Sequence, residues 1–449
     1  MRRLTRLKGA RVAAAAMAAG LLLSACSGAE TVEEDDGAAA ETETEEEPTE
    51  DPADDGEGEE DDGATGEASG EPIRIGALHP LTGGLAQDGQ PMSDAAQMAV
   101  DDINAAGGIQ SLGGRPLELV AADTEGSAEI AQTEAQRMID EGVVALVGPY
   151  QSAVAVNVAS LAERSQIPFV IDVAVSNSVI TDQSQFTFRI QPNATAMGVQ
   201  GAQALSALAE ATGEEVGSVV HLHDQTEFGT SINEAFATEA ATLGIEVAES
   251  IAYDPFGVSD LTTELSRVAA AGVDVMVATG YYGDGLLIAR DASAVQPELK
   301  GVFGIANGAF DIDEFAASAD GAGEGFLNAN YHFDATDERV QELRSRYEEQ
   351  YGQTMRTAAI LTYQAIELIA AGLEDAGSDD PTALRDAISG ISLADHLMAY
   401  DGPIEFDETG ENVNARPIVM QVQNDAVVQV FPESFAEAEP IFPTVPWQD

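Results

Sequence analysis

IRIGALHPLTGGLAQDGQPMSDAAQMAVDDINAAGGI, residues 73–109, changes its apolar periodicity once, and that change decides the fold. The run IRIGAL (73–78) is short and apolar, as a buried strand is. From Ser93, which stands where an N-cap belongs, Ala96, Val100 and Ile103 recur on one helical face until Gly107-Gly108 ends the segment. The same switch recurs downstream. LELVAA (117–122) precedes a helix after Ser127, VVALVG (143–148) precedes one from Ser152, and IPFVID (167–172) follows. Strands alternating with helices specify a parallel sheet covered on both faces. The pattern restarts beyond Pro192-Asn193 with VGSVVHL (216–222), ESIAYD (249–254), VDVMVATG (273–280) and GVFGIA (301–306), separated by helical stretches such as 258–271. Residues 72–449 are too many for one ordinary core, so the expected fold is α/β with two doubly wound parallel-sheet lobes.

Upstream of this body the chain has a different character. MRRLTRLKGAR carries five positive charges and is followed by VAAAAMAAGLLL, an apolar run too short for a comfortable membrane span, which is the build of a secretory signal over residues 1–25. Leu23, Ser24, Ala25 and Cys26 resemble a bacterial lipobox, which implies lipidation of Cys26 and a mature chain that begins there. Cys26 is the only cysteine, so no disulfide framework is available. Ser27 to Glu71 holds 21 acidic residues and no Lys or Arg, a composition that buries too little apolar surface to fold. With Cys26 it reads as a disordered acidic linker, residues 26–71, holding the body away from a membrane.

The body has 58 acidic residues against 14 Lys and Arg, and Lys300 is its only lysine. Nucleic acid and anionic lipid are poor partners for such a surface. Adaptation to concentrated salt and a genome that favours Arg and Ala over Lys are competing explanations of the composition.

Several local sequences together resemble the leucine/isoleucine/valine-binding proteins, the extracytoplasmic receptors of ABC importers. They are the opening stretch, LGGRPLELVAADTEG (112–126), VGPYQSAVA (147–155), PFVIDVAVSNS (168–178), HDQTEFGTS (223–231), ATGYYGDG (278–285) and GPIEFDETG (402–410). The resemblance runs through residues 72–431. It implies the type I periplasmic-binding fold, two lobes joined by a three-segment hinge with ligand between them. The implied N-terminal lobe is 72–192 plus 331–396 and the C-terminal lobe 193–330 plus 397–431, leaving 432–449 as a tail.

The residues themselves offer a site. The turn Pro149-Tyr150-Gln151 leads to Ser152 at an expected helix start, where backbone N–H groups and a hydroxyl bind a carboxylate without help from arginine. The resemblance implies that Ser152 contacts a ligand α-carboxylate and that Ala174 and Ser176, in the loop after IPFVID, add a carbonyl and a hydroxyl. It also implies that Tyr281 closes over the ligand from the second lobe, and that Phe228 stacks where relatives often carry tyrosine. Two positions depart from the pattern. Asn307, in Ala306-Asn307-Gly308, stands where amino-acid binders often place an acid for the α-ammonium group. Asp88 stands at a site-facing position often occupied by tyrosine; it either restores that negative charge from the opposite lobe or is incidental in so acidic a body.

No G-x-S-x-G, H-E-x-x-H, C-x-x-C or P-loop pattern occurs, so no enzyme is expected. His221 and His223 with Asp224 lack further ligands and read as strand residues rather than a metal site. GAGEGF from Gly321 does not clearly open a helix, and Asn193-Ala-Thr195 reads as a helix cap. No cofactor is expected. The reading is a lipid-anchored, extracytoplasmic solute-binding protein that closes on an amino acid or similar small polar solute and passes it to an ABC permease and its ATPase. The alternatives are an exported ligand sensor of the same fold and a binder of a small amide or carboxylate lacking the ammonium group; an amidohydrolase is a remote third.

Overall fold

Eight strands expected from the sequence form within three residues of their expected ends, and they assemble as two sheets. The computed structural model describes residues 70–444 and 447. In the first sheet β1 (Ile73–His79), β2 (Leu117–Asp123), β3 (Ala145–Val147), β4 (Phe169–Ile171) and β5 (Thr187–Arg189) run parallel in the order β2-β1-β3-β4-β5. In the second, β6 (Ser218–Asp224), β7 (Glu246–Tyr253), β8 (Val275–Thr279), β9 (Gly301–Ile305) and β10 (Leu327–Asn330) repeat that order as β7-β6-β8-β9-β10. After a ribbon of β11 (Ser392–Leu393) and β12 (Ile404–Glu405), the hairpin β13 (Ile418–Gln423) and β14 (Ala426–Phe431) joins β10 antiparallel. The second sheet is therefore mixed rather than wholly parallel. The hairpin turn has left-handed Asn424 and Asp425, at φ 55° and 64°, which these short polar residues tolerate.

Helices α1 (Ala86–Ala105), α2 (Ala128–Asp140) and α3 (Ser152–Ser165) cover the first sheet, and α4 (Ala194–Thr212), α5 (Glu227–Thr242), α6 (Thr262–Ala271), α7 (Tyr282–Val295) and the single turn α8 (Phe315–Ser318) cover the second. The chain then returns to the first core with α9 (Glu338–Tyr351), α10 (Thr357–Ala376) and α11 (Pro381–Ser389). α10 packs along α1 and buries Ile360, Leu361, Ile366, Leu368, Ile369 and Leu373 completely. Each such side chain contributes about 1.5–3 kcal/mol when withdrawn from water. The chain passes between the two cores three times, after β5, after β10, and between α11 and β13.

Local start signals explain where expectation and structure part. Ser127 caps α2 by accepting the Ile130 N–H, and Asn193 caps α4 by accepting the Ala196 N–H. α1, however, begins at Ala86 rather than after Ser93, because a 3₁₀ turn over Gly83–Leu85 feeds it directly. Pro91 then sits inside the helix, one hydrogen bond short. Gly89 lets that first turn lie against the chain: a Cβ there would fall 2.1 Å from the Pro80 carbonyl oxygen. The helix expected from residue 258 begins at Thr262, whose N–H is taken by the Asp260 carboxylate. The described part of the tail is ordered on the second sheet. Phe442 is buried against Gly301, the Thr444 N–H donates to the Lys300 carbonyl, and Trp447 Nε1 donates to the Pro297 carbonyl at 2.9 Å.

Candidate functional site

Both sheets have the strand order whose crossovers diverge between adjacent central strands, and open sheets of this kind place ligands beyond the strand C-termini at that point. Such ends meet here around a cavity. Tyr150 and Ser152 follow β3, Val173 to Val175 follow β4, Gly280 and Tyr281 follow β8, Ala306 and Gly308 follow β9, and Asn330 with Tyr331 stand at the end of β10. Phe228 enters from α5.

On the first-sheet side, Gly148 makes the sharp turn out of β3 at φ 114°, and a Cβ there would fall 2.3 Å from the Leu78 carbonyl oxygen. Ser152 is the first residue of α3 and is buried. Its Oγ accepts the Ser176 N–H at 3.2 Å, which leaves its own proton to donate. The Val154 and Ala155 N–H groups donate to the Gln151 carbonyl at 3.1 and 3.0 Å, which leaves those of Ser152 and Ala153 as the first-turn amides without an acceptor in the helix. The β4 loop is held from behind. Gln191 Nε2 donates to the Ala174 carbonyl at 2.9 Å, and the fully buried Arg189 donates to the carbonyls of Val175 and Ser176 at 3.0 and 2.7 Å.

On the other side Tyr281 opens α7 and is buried in an aromatic group, its ring centroid 6.0 Å from Tyr150, 5.3 Å from Phe228 and 5.9 Å from Phe256. Burial raises the Tyr281 hydroxyl above its ordinary range, so it is a neutral donor. Gly280 is needed for close approach, because a Cβ would fall 2.1 Å from the Tyr253 hydroxyl oxygen. That hydroxyl lies 2.6 Å from Asp284 Oδ2. Burial pushes Asp284 up to about 7.

The structure thus brings Tyr150, Ser152, Ala174, Phe228 and Tyr281 to one cavity. The other expected residues stand behind or beside it. The Ser176 hydroxyl donates to Glu227 Oε1 at 3.0 Å, across to the first residue of α5. Gln151 turns toward the neighbouring loop, its Nε2 donating to the Gly126 carbonyl at 3.3 Å. Asn307 is fully buried; Asn328 brackets its backbone with two hydrogen bonds, and its own Oδ1 accepts the Ala309 N–H, so it shapes the loop that sets Gly308.

Asp88 lies in an adjoining chamber, whose walls share Tyr150, Gly308, Asn330 and Tyr331 with the first cavity. Arg356 and Asp311 line the same chamber. Asp88 is 5 % exposed and its Oδ1 stands 3.6 Å from Arg356 Nη1. Burial pushes its carboxyl up to about 6 against the pull of Arg356. Asn330, Tyr331, Asp311 and Arg356 were missed from the sequence. The strand LNAN that carries Asn330 has no apolar run to announce it, and Arg356 arrives only through the return crossover to α10.

His221 and His223 sit side by side on β6 with ring centroids 5.4 Å apart, and burial lowers both. His221 Nε2 is 3.0 Å from Thr279 Oγ1 and His223 Nδ1 is 2.7 Å from the Asp224 carbonyl oxygen. Among the described residues no group of three or more His, Cys, Asp or Glu side chains is placed to hold a metal ion. GAGEGF runs through turns into β10, not into a helix. Cys26, the signal segment and the acidic linker lie outside the described residues.

These features describe an α/β protein with a cavity at the seam of two sheets, and the chain belongs to the periplasmic binding protein family, whose model matches residues 72–426. It is similar to Leu/Ile/Val-binding protein homolog 7 of Brucella suis biovar 1, 26 % identical over 380 residues that span 82 % of this chain and 93 % of the relative. Homolog 8 of Brucella abortus is likewise 26 % identical over 82 % of this chain and 92 % of its own. Among solved structures it is similar to a leucine-binding protein, LivK, of Thermotoga maritima, with a TM-score of 0.68, 25 % identity, and coverage of 79 % of this chain and 97 % of that one. The same fold recurs in a solute-binding protein of R. palustris in complex with benzoate, with a TM-score of 0.68, 20 % identity, and coverage of 80 % and 95 %. The chain thus belongs to a family of extracytoplasmic binders rather than enzymes. Among the described residues no helix is long and apolar enough to cross a membrane.

Proposed function

We propose that this protein captures a small carboxylate-bearing solute, an amino acid first among them, in the cavity between its two lobes and delivers it to an ABC permease. The observation that carries this reading is the origin of the cavity wall, which is drawn from strand ends of both sheets. In this reading the lobes are 72–192 plus 331–396 and 193–330 plus 397–431, and they part to admit solute. Closure follows binding because only the closed arrangement lets both lobes touch the solute. Ser152 and the first turn of α3 receive the carboxylate, and Tyr281 with Phe228 and Tyr150 supplies the apolar cover. Cys26 carries the lipid, and the acidic linker spans from membrane to lobe.

Thermal-shift screening and calorimetry with amino acids, small amides and small carboxylates test the ligand assignment. Ser152→Ala combined with Tyr281→Ala should weaken the best ligand by about 2–4 kcal/mol, the sum of an unsatisfied carboxylate and a lost aromatic contact. Undiminished affinity in that double variant would place the site elsewhere. Cys26→Ser should move the protein from the membrane fraction to the soluble one, and unchanged retention would remove the lipid anchor.

A further inference from the structure

The chamber beside the cavity holds two polar groups that the protein leaves unfinished. Asp88 is 5 % exposed, and its Oδ2 has no hydrogen-bond partner within the protein. Arg356 Nη1 is likewise without a hydrogen bond. At 3.6 Å the two side chains attract but do not bond. Arg356 is fixed in place by its stem at the head of α10, by the Tyr282 ring, 4.9 Å from its guanidinium carbon, and by Glu314, whose Oε2 stands 3.6 Å from its Nε, a different nitrogen from the Nη1 that faces Asp88. The second carboxyl of the chamber, Asp311, is already engaged: its Oδ2 accepts from Asn330 Nδ2 at 3.0 Å, and burial pushes it up to about 7. The chamber therefore sets an unpaired acceptor and an unpaired donor side by side, with Tyr150 and Tyr331 in the wall it shares with the first cavity.

Four kinds of ligand end can be weighed against that pair. A branched hydrocarbon would leave both groups desolvated and unpaired, which is costly for ions. A carboxylate would satisfy Arg356 and be repelled by Asp88, and an ammonium group would do the reverse. A carboxamide or urea group donates N–H to Asp88 and accepts from Arg356 through its carbonyl, without adding charge. We infer that the Asp88–Arg356 chamber is the far end of the binding site and receives a carboxamide-type group, so that the preferred solute is a small acid bearing an amide several atoms from its carboxylate. This rests on the reading that Ser152 and α3 hold the carboxylate.

Calorimetry on the full chain tests the inference with glutaramate, glutamine, glutarate, glutamate, 5-aminopentanoate and leucine as probes. Glutaramate and glutamine should bind at least tenfold more tightly than the diacids, the ω-amine and leucine. Asp88→Leu and Arg356→Leu should each bring the ratio of amide to leucine affinity close to one. The ligand series on the parent protein needs no variant, so a folding defect in either variant does not spare the inference. Leucine or 5-aminopentanoate binding more tightly than both amides overturns it. If leucine binds best and Ser152→Ala still weakens leucine, the carboxylate site stands and only the chamber assignment fails. If none of the probes binds, both fail.

Discussion

The two halves of the molecule treat buried charge in opposite ways. Around the first sheet, apart from Asp88 in its chamber, the buried charged groups meet partners of the opposite kind. His79 Nε2 lies 2.8 Å from Asp172 Oδ2, which also accepts from the Thr362 hydroxyl, and the fully buried Arg189 faces Glu411 at 3.3 Å. Around the second sheet Asp224, Asp284 and Asp311 are buried, and among the described residues none forms an ion pair. They lean on neutral donors instead, namely Thr226, Tyr253 and Asn330. Burial accordingly pushes Asp224 up to about 6 and the other two to about 7. Apart from Asp88, the first half is braced by fixed pairs, while the second carries three acids whose cost depends on pH.

The strongest way to break this contrast is to remove the base from the first half. Arg189→Met should destabilise the protein by about 3–5 kcal/mol, because it strands Glu411 and two loop carbonyls in a desolvated site. Urea denaturation measures this, and a loss below 1 kcal/mol would mean that the guanidinium is dispensable. A smaller effect comes from the second half. Its aspartates hold protons in the folded state that they have lost in the unfolded chain, so their stabilising contribution falls as pH rises toward their folded values. The buried histidines, lowered by the same burial, work in the other direction below about pH 6.5. A difference against the parent isolates the acids. Relative to the parent, Asp284→Asn with Asp311→Asn should gain about 2 kcal/mol between pH 6 and pH 8, roughly 1 kcal/mol for each group. A pH-independent difference would show that these carboxyls are ionised throughout.

Much of the fold was legible because its strands are apolar runs bounded by Gly, Pro and caps. What escaped has a physical reason in each case. β5 is three residues long and carries Arg189, a charge whose partners come from the loop before it and from residue 411. The β13–β14 hairpin was signalled by Asn424-Asp425 between two alternating stretches, but a search for βα units passes over it. In the site, Ser152 and Tyr281 could be placed because each stands where a strand yields to a helix. Asp88 was recognised as a position without its chamber, since Arg356 is 268 residues further along the chain and joins it only through tertiary packing. Gln151, next to Ser152, turns the other way because the α3 start alternates direction, which neighbourhood in sequence does not reveal.

Glu227 has one more implication. Its Oε1 takes hydroxyl protons from both Ser176 and Ser178, joining the start of α5 to the loop beyond β4 with no solute involved. On the proposed opening and closing of the two lobes, that latch would lower the free energy of the shut form by itself. A larger share of empty protein then rests shut, and a solute's apparent affinity is taxed less by closing. The same latch must be undone before release, so unloading would be paced by whatever pulls Glu227 away from those two serines.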